Sequence, residues 1–348
     1  MNILYAVNEA FYRTKETDIV KRDYGGRGCR MTEMEWQLPE GSLLYVKQGN
    51  GVWITGYRGL AGQVTIPERL PWQEDSRREE LAVKGIAKKA FLSKKYLRSL
   101  ILPKSIETVE DWAFAYCNSI RGVHFQGSDV RFGKAVFMEC PALRCVSFPV
   151  EETEEAGQKT YEPKDGREGI GALVAAAVTQ MDASYLLDAK EAGSREWLGK
   201  WDARMLAILR AADDEGYSKQ ILCGEEDYES ADLETYLKNS RKKKVRLLLL
   251  RLYWSMGLDP ALQDQLKEYL LTHSKGCKTD ETWQVIRDEC GDRREFYELF
   301  ARLGCLTREN APLVIAETRE DCPEMKAFFL KYQADHFSQV DYFADMEL

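Results

Sequence analysis

A spacing of 23 residues governs the first half of the chain. Phe91, Phe114 and Phe137 are separated by it, and so are Leu97, Ile120 and Leu143. Leu100, Val123 and Val146 keep the same step, as do Leu102, Phe125 and Phe148, and Ile86, Val109 and Phe132. Ala90 and Ala113 form a small-residue column, with Val136 as its third member. A unit this short cannot bury its own apolar face, so equivalent side chains must stack on those of the next coil. Within a unit, Leu97-x-x-Leu100-x-Leu102 ends in the alternation of a short strand, which Pro103 or Pro149 stops. The Ala-Phe step predicts a tight turn in which the small residue permits close approach and the phenyl ring fills the coil interior.

The run from Leu102 to Phe125, Leu-Pro-Lys-Ser-Ile-Glu-Thr-Val-Glu-Asp-Trp-Ala-Phe-Ala-Tyr-Cys-Asn-Ser-Ile-Arg-Gly-Val-His-Phe, resembles the BspA-like class of bacterial leucine-rich repeats. Upstream, Gly51-Val-Trp-Ile-Thr-Gly-Tyr-Arg-Gly and Val64-Thr-Ile-Pro resemble the hairpin and first coil that precede such repeats. The resemblance spans roughly residues 45–150 and implies a binding scaffold. Three departures stand out: Gln126 replaces the strand-ending proline in the middle coil, Gly133-Lys-Ala-Val-Phe is expected to loosen the last turn, and only about three regular coils are present.

The second half carries a different period. Leu198, Trp201, Met205, Leu206, Ile208 and Leu209 recur at helical spacing, as do Leu233, Tyr236 and Leu237 ahead of an apolar stretch from Leu247 to Trp254. Asp259-Pro260 predicts an N-cap followed by proline at the first helical position, Asp321-Cys-Pro-Glu324 a capping box, and Gly304 a helix stop. The chain from Arg293 to Tyr332 resembles the short helix pairs of ankyrin-like tails. The expected class is α+β: an N-terminal cap over 1–44, a short leucine-rich-repeat β-solenoid over 45–150, an acidic linker over 151–168, and an α-helical hairpin domain over 169–348.

Charge divides in the same place. Residues 1–150 hold 22 Lys and Arg against 17 Asp and Glu, whereas residues 151–348 hold 27 against 40, giving the net charge of −8. Such a balance argues against nucleic acid or anionic lipid as a partner of the whole molecule. The richest apolar stretch, Val245 to Met256, is interrupted by Arg246 and Arg251 and falls short of the roughly 18 apolar residues that a membrane span needs; it predicts a buried helix. The first residues hold no basic leader, and the nine cysteines have no paired spacing, so reduced thiols and a cytoplasmic location are expected.

Signals for chemistry are few. His124, His273 and His336 are scattered, and neither His-x-x-x-His nor Cys-x-x-Cys occurs, so no metal and no cofactor are expected. Gly-x-Ser-x-Gly is absent. Gly25-Gly-Arg-Gly28 and Gly166-Arg-Glu-Gly-Ile-Gly171 lack phosphate-loop spacing and are expected to be turns. Asp213-Asp-Glu215 and Glu225-Glu-Asp227 predict solvated turns, and Arg241-Lys-Lys-Lys244 a solvated helix face. Cys117 and Cys140, one period apart, are expected to stack as small buried groups, and Cys145 to lie on an exposed strand face.

One constellation points to recognition. Arg98, Arg121 and Arg144 share the 23-residue step and directly follow Leu97, Ile120 and Leu143, so a ladder of guanidinium groups should leave the opposite face. Ile101, His124 and Ser147 should flank it. Stacked guanidiniums favour carboxylates or phosphates. The expected function is therefore noncatalytic binding of a protein partner through an acidic segment, with the chain's own acidic half as one source. Two alternatives are an enzyme whose site lies in the helical domain or an interdomain cleft, with the repeats selecting substrate, and an exported adhesion protein.

Overall fold

The computed structural model describes residues 19–24, 31–39, 41–74, 77–149, 163–217 and 232–337. Much of the expected cap over 1–44 and most of the linker over 151–168 lie outside these residues, as do Gly25–Gly28, Cys29, Cys223 and Glu225–Asp227. The class is α+β, a strand-rich first part followed by helices. The chain forms two compact units, residues 1–201 and 202–348.

The first unit holds two sheets. One begins with an antiparallel series, β1 (Ile19–Tyr24), β2 (Met31–Leu38), β3 (Gly41–Gln48) and β4 (Gly51–Gly59). It continues in parallel through β7 (Arg77–Ile86), β9 (Thr108–Val109) and β11 (Arg131–Phe132). The other sheet is all parallel, with β5 (Gln63–Thr65), β8 (Ser99–Leu102), β10 (Gly122–Phe125) and β12 (Cys145–Ser147) side by side. Each coil contributes one short strand to each sheet. The registers Val123↔Leu100, Val123↔Val146 and Ile86↔Val109 are the 23-residue columns of the sequence. The first coil departs from the period, because β6 (Arg69–Glu74) and the start of β7 form an inserted hairpin, and β5 pairs with β8 at a step of 36.

The phenylalanine column is the spine of this core. Phe91 lies 5.5 Å from Phe114 and Phe114 lies 5.4 Å from Phe137, centroid to centroid, with all three rings buried. Tyr57, 6.0 Å from Phe91, extends the row into the leading hairpin. Beside it, Cys117 and Cys140 stack as buried groups, and each thiol donates to a carbonyl of the preceding coil: Cys117 to Phe91 at 3.0 Å and Cys140 to Phe114 at 3.1 Å.

The turns repeat in the backbone as well. Lys89, Trp112 and Ala135 have φ of 63°, 57° and 51°, and Ser93, Tyr116 and Glu139 have φ of 57°, 60° and 53°. A non-glycine residue in this left-handed region costs about 1–3 kcal/mol. Amide bonds between coils offset it: Lys89 donates to Asp111, Trp112 to Lys134, Ser93 to Ala115 and Tyr116 to Met138. Ala135 takes the same conformation as its two counterparts, so the Gly133 segment keeps the turn that its sequence was expected to loosen.

The last coil is closed by a helix. α1 (Pro163–Thr179) packs on β12, and its Leu173 to Ala177 are all buried. The expected turn at Gly166–Gly171 is thus the start of this helix. A Cβ at Gly171 would sit 2.5 Å from Cys145 Sγ and 3.2 Å from the Val146 carbonyl oxygen, so glycine permits the close approach. This contact half-buries Cys145, which the sequence placed on an exposed face. Beyond a 3-10 turn at Ser184–Leu186, α2 (Arg195–Arg210) begins, and its Trp197 and Trp201 donate indole N–H bonds to the carbonyls of Leu186 and Leu173 at 3.0 and 2.9 Å. These contacts tie 163–201 to the repeat unit, and the compact units divide after Trp201.

The second unit contains α3 (Leu233–Tyr253), α4 (Pro260–Thr272), α5 (Glu281–Glu289), α6 (Arg294–Arg302), α7 (Ala311–Glu317) and α8 (Pro323–Phe337). Asp259 caps α4 by accepting from Ala261 and Leu262. Gly304, at φ 84°, ends α6 with paired bonds from Gly304 to Ala301 and from Cys305 to Phe300, a Schellman arrangement. The expected capping box at Asp321 does not form its bond pattern, because the Asp321 carboxylate pairs with Arg319. The basic run is not a solvated face. Arg241 and Lys244 both pair with Asp213 at 2.7 Å, Lys244 is buried, and Arg241 also reaches Glu281 at 3.2 Å. Asp213 is correspondingly a half-buried ion-pair partner, not a solvated turn residue.

Candidate binding face of the repeat strands

Leu100 and Leu102 point into the core, so Ser99 and Ile101 face outward, as do Gly122 and His124 on β10 and Cys145 and Ser147 on β12. Ile101, His124 and Ser147 occupy one cross-strand row, with His124 paired to both neighbours. His124 Nδ1 and Ser147 Oγ are 2.8 Å apart. The imidazole folds back over Gly122, where a Cβ would meet Nε2 at 2.8 Å. Burial in this row lowers the His124 pKa below its ordinary 6.5, because desolvation disfavours the charged ring. Burial also pushes the Cys145 thiol up to about 11, with the nearby Glu168 carboxylate adding to the effect.

The arginines stand just before the strands. The Arg121 amide donates to the Arg98 carbonyl at 2.7 Å and the Arg144 amide to the Arg121 carbonyl at 2.8 Å, which fixes the three in a row along one rim. All three are exposed. Gly62 holds the equivalent place in the first coil, with Arg98 Cδ 3.7 Å from the position of an added Cβ. The three side chains are not alike: Arg144 turns its guanidinium to the carbonyls of Pro141 at 2.9 Å and Leu143 at 3.3 Å.

Two further residues share the rim. Leu60 and Tyr96 sit two positions ahead of Gly62 and Arg98 and are 74% and 62% exposed. They become neighbours in the pattern only through the 36-residue step of the first coil, so the 23-residue period does not find them. The rim therefore combines positive charge with apolar surface, a composition suited to a protein segment that carries both acidic and apolar side chains.

Residues 81–164 match the family described as "BspA type Leucine rich repeat region (6 copies)". This part of the chain is a BspA-type leucine-rich repeat region. Solved structures similar to the chain include a leucine rich cell surface protein of Faecalibacterium prausnitzii, at 26% identity and a TM-score of 0.27 over 32% of this chain and 29% of that one. A Treponema pallidum leucine rich repeat protein aligns at 27% identity and a TM-score of 0.26, over 30% of this chain and 46% of that one. A leucine-rich repeat protein of Bacteroides ovatus aligns at 19% identity and a TM-score of 0.28, over 33% and 29%. The aligned part is less than half of each of these proteins. No curated protein matches the chain.

Within the BspA-type region, the repeated geometry of each coil accounts for both rows. The buried Leu97, Ile120 and Leu143 fix the approach to each strand, and the residue after each is forced outward at the same point of the coil. Among the described residues no group of His, Cys, Asp and Glu is placed to hold a metal ion, and no helix is long and apolar enough to cross a membrane.

Proposed function

We propose that the protein is a noncatalytic binding module that captures an acidic protein segment along the Arg98, Arg121 and Arg144 rim, with Ile101, His124 and Ser147 as the adjoining floor. Leucine-rich repeats generally bind proteins, and the single observation that supports this particular surface is the backbone-linked row of arginines beside exposed Leu60 and Tyr96. Arginines held by a rigid backbone offer charge without the ordering cost that a flexible loop would incur. A partner rich in Asp and Glu with interspersed Leu or Phe complements the rim, and the acidic half of the chain is itself one source of such segments. The reading includes a cytoplasmic scaffold role, in keeping with free thiols at every described cysteine.

The test is fluorescence anisotropy of the full chain with a labelled Glu-rich peptide carrying two leucines, against the variant in which Arg98, Arg121 and Arg144 are all Glu. Binding that weakens at least about tenfold, a difference of about 1.4 kcal/mol, supports the reading. Equal binding by the two proteins rejects this rim as the recognition surface.

A further inference from the structure

The other sheet has an outer surface of different chemistry. Trp53, Gly85, Thr108 and Arg131 lie in one row across β4, β7, β9 and β11, each in register with the next. Gly85 leaves a gap in that row. A Cβ there would lie 2.5 to 2.7 Å from three atoms of the Trp53 ring, so the indole is laid flat across β7. Thr108 follows, and its Oγ1 accepts from Arg131 Nη2 at 3.3 Å. Trp53, Thr108, Arg131 and Phe132 thereby line an open trough of about 510 Å³, within the range of small-ligand sites.

The walls carry both signs. Lys88 and Arg131 stand against Glu110 and Asp111, a balance of zero. The two carboxylates are held in place by amides of adjacent coils, Glu110 by Lys88 N–H and Asp111 by Lys134 N–H, both at 2.7 Å. A carboxylate that accepts one such bond retains further acceptor sites. Gly133 is needed for this packing, since a Cβ there would lie 2.5 Å from the Asp111 nitrogen and 2.6 Å from its Oδ1.

We infer that this trough binds a neutral oligosaccharide, with a pyranose ring laid on Trp53 and its hydroxyls shared among Arg131, Glu110, Asp111 and Thr108. A sugar ring presents axial C–H bonds, with partial positive charge, that suit the negative face of an indole. Its hydroxyls both donate and accept, so they use a lining of mixed sign that would repel part of any simple anion or cation. The trough is open along the sheet, which lets the chain of sugars continue beyond one ring. This site lies on the opposite sheet from the arginine rim and does not depend on it.

Saturation-transfer NMR and titration calorimetry of the full chain with cellohexaose, maltohexaose and chitohexaose test the assignment. Saturation transfer to ring C–H protons of at least one of the three is expected. Arg131→Ala, an exposed substitution, should weaken that binding several-fold, and Trp53→Leu should abolish it, with circular dichroism confirming that both variants fold. The variant with Glu at 98, 121 and 144 should bind the sugar as the parent does, which separates this site from the rim. The inference is overturned if none of the three sugars binds at millimolar concentration, or if a sugar binds equally to the parent, Arg131→Ala and folded Trp53→Leu. Preference for a sulfated over a neutral oligosaccharide would overturn it too.

Discussion

The backbone amide of Arg121 donates to the carbonyl of Arg98 at 2.7 Å, so two like charges are held on neighbouring coils by the hydrogen-bond ladder that builds the fold. Mutual repulsion of exposed guanidiniums is small in water, and the ladder absorbs it. The arrangement keeps the charges aligned before any partner arrives.

That alignment predicts unequal contributions to binding. Arg144 spends donors on Pro141 and Leu143, so Arg121→Glu should weaken capture of an acidic peptide more than Arg144→Glu does. Binding by the parent should also fall as salt is raised from low to physiological strength, because the charges are exposed. Anisotropy titrations at several salt concentrations check both.

Phe114 lies between two ring neighbours at 5.5 and 5.4 Å and is fully buried. Phe114→Ala should destabilise the repeat unit by about 3–5 kcal/mol through lost transfer energy and the cavity left behind. Phe137, at the end of the described row, should cost less on the same truncation. Urea unfolding followed by circular dichroism measures the two.

Gly171→Ala should destabilise by about 1–3 kcal/mol, because the new methyl group meets Cys145 Sγ and the Val146 carbonyl. The loss should shrink when Cys145 is also changed to Ala. A double-mutant cycle on melting temperatures reads the coupling, and additive losses would show that the two residues do not share this contact.

Arg251 is wholly buried on α3 and forms a two-pronged pair with Asp202, at 2.6 and 3.1 Å, while also donating to the carbonyls of Trp254 and Met256. Asp202→Ala strands the charge and should cost about 3–5 kcal/mol. Changing Arg251 to Met in the same protein should recover part of that loss, as denaturant midpoints would show.

His124 predicts a pH effect of definite sign. Burial lowers its pKa below 6.5, so the folded chain holds this proton less readily than the unfolded chain does. Its contribution is complete above pH 6.5 and is lost as pH falls through the interval below, where the unfolded state takes up the proton first. His124→Gln should flatten the stability profile of the repeat unit over that interval in thermal melts from pH 7.5 to pH 5, a range chosen about the ordinary histidine value.

Much of the repeat was readable because each coil imposes the same environment at the same place. A residue type that recurs at a fixed step reports a shared environment at that step, buried for the Phe91, Leu97 and Leu100 columns and exposed for the arginine row, which is why both could be written down from spacing alone. Leu60 and Trp53 were not readable in this way. Their neighbours are set by the inserted hairpin of the first coil and by the gap at Gly85, which break the period.

By itself the sequence determined the stacking period, the identity of the core columns, the change to helices in the second half, and the caps at Asp259 and Gly304. Only the tertiary structure decided that the glycine-rich segment ending at Gly171 is a helix lying on β12, that Lys244 and Arg251 are interior, and that Trp53 faces a trough. The physical reason is one of range: periodic burial and capping are set within a few turns of chain, whereas a glycine in a helix or a charge in a core is tolerated only through a partner supplied by distant residues.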